Sequence, residues 1–199
     1  MRIKTFYFFF ILLILGLVPS SFASEKTNIV SIGEKEAKIT VKVFSSLTCP
    51  HCANFHKKIF NELKKDFINK GVLLYEHHGF PLDLAALNAE KVLNCFKNKQ
   101  KKLDFLNEIY EKQGVWASGS DINSINSNLI KIGKNHGLND DRVKNCLNDE
   151  SIENTILNER IMAHKKYSIE STPTIFINEK KYEGKHNYNE FKKIIEKLL

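Results

Sequence analysis

Two cysteines separated by two residues, Cys49-Pro50-His51-Cys52, are the part of the sequence best suited to chemistry. A C-x-x-C pair can ligate zinc, attach haem, form a short structural disulfide or exchange electrons with other thiols. Haem attachment requires a histidine directly after the second cysteine, and residue 53 is alanine. A structural disulfide would close a loop of only four residues, which constrains the unfolded chain very little.

A zinc site is not indicated either. Zinc requires four ligands, usually two cysteine pairs, or one pair with two spaced histidines. The next cysteine, Cys95, stands alone in a predicted helix, while His77 and His78 are adjacent on a predicted strand and point to opposite faces. We therefore expect no metal and no other cofactor, and we favour thiol–disulfide exchange at Cys49 and Cys52.

The predicted surroundings of the pair favour a reactive thiolate at Cys49. A strand precedes the pair and a helix starts at it, with Pro50 in the first turn, where its missing N–H costs nothing. The unpaired N–H groups and the dipole of a helix start stabilise an anion, and such settings lower a cysteine pKa from about 8.5 to as low as roughly 3.5. We expect His51 to add to this effect and Cys52, one turn into the helix, to be the more buried partner.

The segments next to the pair predict an α/β fold. Ile39–Phe44 alternates and is β-branched, which is typical of a strand. After Cys52, an apolar residue recurs every four positions from Phe55 to Phe67, which predicts an amphipathic helix. Val72–His78 predicts a second strand. The first strand thus delivers the cysteine pair to the carboxyl edge of a sheet, where such folds place their ligands.

The rest of the chain predicts a helical insertion followed by a return to the sheet. We expect residues 24–83 and 151–199 to form an α/β domain, and residues 84–150 to form an inserted all-helical subdomain. The remaining predicted elements are a helical block over Leu84–Glu150, a helix from Ser151 to about Tyr167, strands at Pro173–Asn178 and Lys180–Gly184, and a closing helix striped by Tyr188, Phe191, Ile195 and Leu198.

The N-terminus has the layout of a secretory signal peptide. A basic start is followed by 13 apolar residues, Phe6–Val18, and by Ser21-Phe22-Ala23, which places small residues at a cleavage site. A membrane anchor is the alternative, but the apolar run falls short of the roughly 20 residues that a spanning helix needs. We expect cleavage after Ala23, and hence a periplasmic protein in which disulfides persist.

The charge pattern does not indicate a nucleic-acid-binding protein. Removal of Arg2 and Lys4 with the signal peptide lowers the net charge from +7 to +5. The remaining basic residues alternate with Asp and Glu along helices, as on a solvated surface.

These features together resemble the DsbA-type thiol:disulfide oxidoreductases of the thioredoxin-like superfamily. The resemblance rests on "CPHC" after a strand, the helical insertion, "FPLD" and Ser171-Thr172-Pro173-Thr174 before a strand, and it covers residues from about 28 to the C-terminus. It implies that Cys49 is the reactive cysteine and Cys52 the buried one. It also implies a cis peptide bond between Thr172 and Pro173 beside the disulfide, with the Thr172 backbone pairing to an extended substrate segment.

Two positions depart from the family pattern. Members often carry an acidic residue six positions before the first cysteine, where this chain has Val43. The residue before the cis proline is Val in the best-known oxidases and Thr, as at Thr172, in many isomerases and reductases. The family pattern therefore leaves the direction of exchange open.

The second cysteine pair, Cys95 and Cys146, lies in the helical block. An even cysteine count in an exported protein favours pairing, and some relatives carry an extra disulfide in this region. We expect a structural disulfide that closes a loop of some 50 residues, worth about 4 kcal/mol in the loop-entropy model. The alternative is two buried free thiols that never meet.

Three functions fit these observations. The first is an exported monomeric oxidase that donates the Cys49–Cys52 disulfide to folding proteins and is reoxidised by a membrane partner of the DsbB kind, as the resemblance implies. The second is an isomerase or reductase that uses the same site. The third is a binding or chaperone module in which the cysteine pair is vestigial.

Overall fold

The computed structural model describes residues 29–199. The predicted signal peptide, residues 1–23, lies outside these residues. Along the described part of the chain no helix is long and apolar enough to cross a membrane.

One mixed sheet forms the centre of the molecule, with strand order β1-β3-β2-β4-β5. The central strands β2 and β3 run parallel, and the other neighbouring pairs are antiparallel. The strands are β1 (Val30–Ile32), β2 (Ile39–Ser45), β3 (Leu73–Gly79), β4 (Thr174–Ile177) and β5 (Lys180–Lys181).

The predicted strands are confirmed with changed ends. β1 has three residues, too few to show an alternating pattern, so the sequence does not predict it. The second strand of the terminal hairpin is shorter than the predicted Lys180–Gly184. Asn178 and Glu179 form the hairpin turn with positive φ angles of 46° and 64°, and Asn178 Oδ1 accepts a hydrogen bond of 2.8 Å from the Thr40 N–H.

A continuous helix over residues 50–68 connects β2 to β3. It consists of α1 (Pro50–Phe55), a π-helical segment (His56–Phe60), α2 (Asn61–Leu63) and a second π-helical segment (Lys64–Ile68). The apolar stripe predicted along this helix is buried, including Ile59 and Leu63. It packs on one face of the sheet, where Val41 and Val43 of β2 lie in the same core cluster.

The helical insertion follows β3. Its helices are α3 (Leu84–Asn94), α4 (Lys99–Glu111), α5 (Gln113–Trp116), α6 (Ile122–Asn135) and α7 (Asp140–Leu147). They share a core that includes Leu106, Leu129 and Val143. The same core contains Cys52 and Ala53 of α1, so the insertion packs directly against the helix that carries the cysteine pair.

Two further helices pack on opposite faces of the sheet. α8 (Glu150–Tyr167) leads back from the insertion, and α9 (Tyr188–Leu198) closes the chain. Phe191 and Ile195 of α9 join the core on the side of the sheet that α1 and α2 cover. Ala163 of α8 packs instead with Phe44 and Phe176 in a separate cluster. Because successive strand residues point to opposite faces, Val43 and Phe44 of β2 serve different cores. The predicted α/β fold with a helical insertion is confirmed.

Candidate active site

The loop between β2 and α1 places Cys49 at the start of a helix, as the sequence predicts. Cys49 has an extended backbone (φ −75°, ψ 121°) and is the N-cap residue of α1, with Pro50 in the first turn. The Cys49 N–H donates to the Ser46 carbonyl at 3.1 Å, and its own carbonyl accepts from the Ala53 N–H at 3.1 Å. The side chain is thus held at the carboxyl end of a central strand and at the first turn of a helix.

The two cysteines of the pair are free thiols in different surroundings. Cys49 is half-buried, whereas Cys52 is 1% exposed. Of the two sulfurs, only that of Cys49 is therefore accessible to another protein. Cys49 Sγ lies 3.3 Å from the Thr172 carbonyl oxygen, which accepts a hydrogen bond when the thiol is protonated. The segment before β4 therefore lies directly beside the pair.

The peptide bond between Thr172 and Pro173 is cis, which confirms the isomer that the family resemblance implies. Cys49, Cys52 and Thr172 come together from two parts of the chain that lie more than a hundred residues apart, separated by the whole insertion. Both Thr172 and Pro173 are partly exposed.

Hydrogen bonds lower the pKa of Cys49 from the 9.0 of an ordinary cysteine to about 5. The largest cause is the hydrogen bond from the Cys52 thiol; partial burial opposes it, and Thr172 and the backbone N–H groups of Cys52 and His51 lower the pKa further. Donors directed at a sulfur favour its charged form. Cys49 is therefore a thiolate at neutral pH.

The pKa of Cys52 is shifted in the opposite direction, upward. Burial strongly raises the pKa of its thiol, and the hydrogen bond to Cys49 and the charge of the Cys49 thiolate raise it further. The protonated Cys52 thiol can thus donate to the Cys49 thiolate. One proton is shared unequally between two sulfurs, as exchange chemistry requires.

The side chains of Pro50 and His51 are exposed. His51 acts on Cys49 through its backbone N–H. Burial lowers the pKa of His186, and the nearby charge of His51 lowers it further, which places the two imidazoles near one another. The predicted contribution of the His51 side chain to the thiolate stays a prediction.

Three polar contacts that the sequence analysis does not predict hold the loop in place. Gln113 of α5 donates through Nε2 to the carbonyls of Leu47 and Cys49, at 2.8 Å and 3.1 Å. The Thr48 hydroxyl donates to Asp83 Oδ2 at 2.7 Å. Asp83 precedes an apolar helical run, the usual signal for an N-cap, whereas no sequence pattern indicates the contacts of Gln113.

Two further sequence expectations concern the neighbourhood of the pair. Val43, where relatives often carry an acid, is fully buried among apolar residues. Among residues 29–199 no group of three or more His, Cys, Asp or Glu side chains is arranged to hold a metal ion.

The second cysteine pair forms a disulfide. Cys95 and Cys146 are bonded, with their Cα atoms 6.1 Å apart, within the usual range for such bonds. The bond connects the end of α3 to α7, so it lies wholly within the insertion. The predicted pairing is confirmed.

Comparison with known proteins agrees with this fold and site. A family model described as Thioredoxin matches residues 24–197. Disulfide bond formation protein D of Bacillus subtilis is 30% identical over 177 residues, which cover 84% of this chain and 76% of that protein. The crystal structure of alpha-DsbA1 from Wolbachia pipientis has a TM-score of 0.78 and 29% identity, covering 86% of this chain and 90% of the other. BdbD from Bacillus subtilis has a TM-score of 0.72 and 26% identity, covering 86% of this chain and 92% of the other.

A Rickettsia prowazekii protein provisionally named as a protein-disulfide oxidoreductase is 29% identical over 172 residues, or 86% of this chain. This chain spans 53–62% of the length of that protein and its matched relatives from other Rickettsia species. The chain belongs to the thioredoxin family. Its helical insertion gives it the architecture of the DsbA-type proteins among its structural neighbours.

Proposed function

We propose that this protein is an exported thiol:disulfide oxidoreductase that introduces disulfides into folding proteins. The observation that carries the proposal is the division of roles between the two sulfurs. Cys49 is accessible and has its pKa lowered to about 5, while Cys52 is buried beside it with a raised pKa. A purely structural disulfide needs neither an accessible sulfur nor a stabilised thiolate.

The exchange proceeds in two displacements. A substrate thiolate attacks Cys49 Sγ of the oxidised pair; the Cys49–Cys52 bond breaks, and Cys52 leaves as a thiolate that takes up a proton. A second substrate thiolate then attacks the substrate sulfur of the mixed disulfide, and Cys49 leaves as a thiolate. The substrate loses two electrons and gains a disulfide, and the pair of cysteines is reduced.

The direction of exchange follows from the stability of the products. Because hydrogen bonds stabilise the Cys49 thiolate, Cys49 is a good leaving group and the reduced form of the protein is favoured. A pair with a stabilised reduced form is oxidising toward ordinary protein thiols. This argument favours the oxidase over the isomerase and the reductase.

Thr172 and Pro173 are the proposed docking site for the substrate chain. Thr172 lies within hydrogen-bonding distance of the reactive sulfur, so an extended peptide paired with its backbone would bring a cysteine to Cys49. Strand addition of this kind gives affinity through main-chain hydrogen bonds and tolerates many sequences, as a protein with many substrates requires.

The proposal also includes the compartment and the reoxidant. Export rests on the N-terminal sequence, and a periplasmic location would keep the catalytic disulfide available. A DsbB-like membrane protein would return the reduced pair to its disulfide form, since each turnover consumes one disulfide. We propose that the protein acts as a monomer on folding proteins that contain cysteines.

The test is oxidation of a reduced peptide that contains two cysteines, by the oxidised protein in stoichiometric amount. The wild type should oxidise the peptide, and Cys49→Ser should not. Cys52→Ser, mixed with glutathione disulfide, should accumulate a mixed disulfide at Cys49, with glutathione leaving as a thiolate. The redox potential against glutathione should place the pair among oxidants rather than reductants. Rapid reduction of insulin with a reducing potential would favour the reductase instead, and no exchange at all would favour the binding module.

A further inference from the structure

A cluster of buried ionisable side chains lies beside Cys52 and has no part in the two displacements described above. His77 and Glu90 are fully buried, and His77 Nε2 lies 3.1 Å from Glu90 Oε1. The ring of Tyr110 is centred 6.3 Å from that of His77 and 4.8 Å from that of His56. We call His56, His77, Glu90 and Tyr110 the buried polar cluster.

The cluster is connected to Cys52 through the helix and through the core. The His56 backbone N–H donates to the Cys52 carbonyl, and residues four apart lie on the same face of a helix. Cys52 and Tyr110 belong to the same packed core. Burial raises the pKa of Tyr110, and the charge of a Cys52 thiolate, followed by those of Tyr75 and Glu90, raises it further. The charge state of Cys52 is therefore felt within the cluster.

Three polar atoms of the cluster have no hydrogen-bond partner among the described residues. They are His56 Nδ1, His77 Nδ1 and the Tyr110 hydroxyl, which lies beside Ser45 without a hydrogen bond of good geometry. Buried polar atoms in native proteins are almost always paired, with protein groups or with internal water. Three such atoms on neighbouring rings give a core site that can receive and pass on a proton.

The cluster also reaches the surface of the protein. His56 Nε2 lies 2.8 Å from Asn107 Oδ1, and both residues line a surface cleft of about 440 Å³ together with Asp104 and Glu108. His56 is only 3% exposed. Its Nε2 nevertheless contacts the side chain of Asn107, which borders this cleft. The cluster thus extends from Cys52 to water on a route that does not pass Cys49.

We propose that the buried polar cluster is the proton acceptor and donor of Cys52, with the His77–Glu90 pair holding the proton and His56 exchanging it with solvent. This inference rests on the proposed function, because it concerns the step in which Cys52 reacts. The groups that interact with Cys52 are Cys49, Thr172, Ser46 and Tyr75 and, from the cluster, Tyr110. The other members of the cluster are joined to Cys52 through the Tyr110 ring, which lies beside those of His56 and His77.

The reaction of Cys52 can be isolated in a mixed disulfide between Cys49 and glutathione. The Cys52 thiol gives its proton to the cluster, and its thiolate attacks Cys49 Sγ. A Cys49–Cys52 bond forms, the bond to glutathione breaks, and glutathione leaves as a thiolate with the electron pair. The cluster then releases its proton through His56. In the forward oxidase reaction the same groups return a proton to Cys52 as it leaves.

The experiment mixes the reduced protein with excess glutathione disulfide and separates the products by mass after an acid quench. The first rate constant is attack by Cys49, and the second is attack by Cys52 on the mixed disulfide. Glu90→Gln removes the carboxylate while keeping an oxygen for His77, and Tyr110→Phe removes only a hydroxyl. The control is Glu76→Gln, which likewise removes only the carboxylate charge, here from the His78–Glu76 contact (3.2 Å) on the partly exposed side of the same strand.

In Glu90→Gln the second rate constant should fall by about tenfold or more at neutral pH, as loss of a proton acceptor predicts, and its pH profile should move to higher pH. The first rate constant should not change, Glu90→Asp should restore part of the second, and Glu76→Gln should resemble the wild type. An unchanged or faster second step would overturn the proposal. If the Glu90 carboxylate acted only through its negative charge, its removal would make a nearby thiolate easier to form and would speed the second step. If Glu90→Gln does not fold, the same criterion applies to Tyr110→Phe. A slow first step in the wild type would instead count against the proposed function.

Discussion

At the scale of single residues, hydrogen-bond donors around the Cys49 sulfur lower its pKa. The sequence predicts a helix start and a histidine, and both are present, but the His51 side chain points into solvent while its backbone N–H acts on the sulfur. The largest single cause of the low pKa is the Cys52 thiol. The two cysteines of the pair are therefore coupled in the reduced state as well as in the disulfide.

Replacement of Cys52 tests this coupling. Cys52→Ala removes the donor and should raise the Cys49 pKa from about 5 toward that of an ordinary cysteine. Cys52→Ser keeps a hydroxyl donor of similar size and should raise the pKa less. Ultraviolet absorbance of the Cys49 thiolate as a function of pH measures both. Equal pKa values in the two variants would show that the helix start alone sets the charge.

The same pKa predicts how the stability of the reduced protein depends on pH. The folded-state pKa of Cys49 is about 5 and the ordinary value is 9.0, so between these limits the unfolded chain binds the extra proton. The free energy of unfolding should therefore rise with pH across this window, and the contribution should be lost below about pH 5. Cys52, whose pKa is raised, acts in the opposite sense only above the ordinary value.

Denaturation of the reduced protein by urea at several pH values measures this slope, and Cys49→Ser provides the control. At each pH, the free energy of unfolding of the variant is subtracted from that of the wild type. The difference isolates the contribution of the Cys49 sulfur from those of the carboxylates. A difference that stays flat between pH 5 and 9 would contradict the assigned thiolate.

At the scale of elements, the start of α3 is attached to the cysteine loop. Asp83 caps this helix by accepting from the Ala86 N–H at 2.7 Å, and its other carboxylate oxygen accepts from the Thr48 hydroxyl. Loss of the cap should therefore affect both helix stability and the position of the residue before Cys49.

Asp83→Ala should lower the free energy of unfolding by about 1 kcal/mol, the usual cost of a lost N-cap, and should also slow the reaction of Cys49 with a disulfide. Asp121→Ala is the matched control, since Asp121 caps α6 through the N–H groups of Asn123 and Ser124. Both variants should lose similar stability, and only Asp83→Ala should change the thiol kinetics. Equal kinetics in the two would mean that the Thr48 contact does not position the loop.

Local patterns predict the elements that carry the cysteines, because β2, β3 and the helix over residues 50–68 each have a clear apolar period. They do not predict contacts between distant segments. His56, for example, reads as a surface residue beside the stripe from Phe55 to Phe67, but it is 3% exposed. The reason is that α4 packs on this helix from a second side, with Tyr110 against the His56 ring. The contacts of Gln113 and the pairing of His77 with Glu90 escape sequence reasoning for the same reason.

At the scale of the whole molecule, the disulfide and the redox pair lie in different parts of the fold. Cys95 and Cys146 close a loop over a sequence separation of 51 within the insertion, while Cys49 and Cys52 lie where the insertion meets the sheet. The order of helices and strands is enough to predict this insertion. The bounds of the inserted subdomain, residues 84 and 150, stay a prediction.

The double variant Cys95→Ser/Cys146→Ser should lower the free energy of unfolding by up to about 4 kcal/mol, the value for a loop of this length. The Cys49 pKa should stay near 5, because none of the groups that lower it belongs to this disulfide. Urea denaturation and a thiolate titration measure the two quantities separately. A shifted Cys49 pKa would show that the insertion transmits strain to the cysteine loop.

The outer strands of the sheet have a consequence for solubility. β1 has three residues, and β5 has two, both exposed lysines. Short border strands, one of them formed by two lysines, offer few free backbone groups for another chain to join. Native sheets avoid aggregating edge to edge by such means. The function that we propose brings the protein into contact with folding chains, whose unpaired backbone groups could otherwise add to its sheet. The two lysines and the short length of both border strands should keep such chains from pairing with the edges of the sheet, and this would favour the docking site proposed at Thr172.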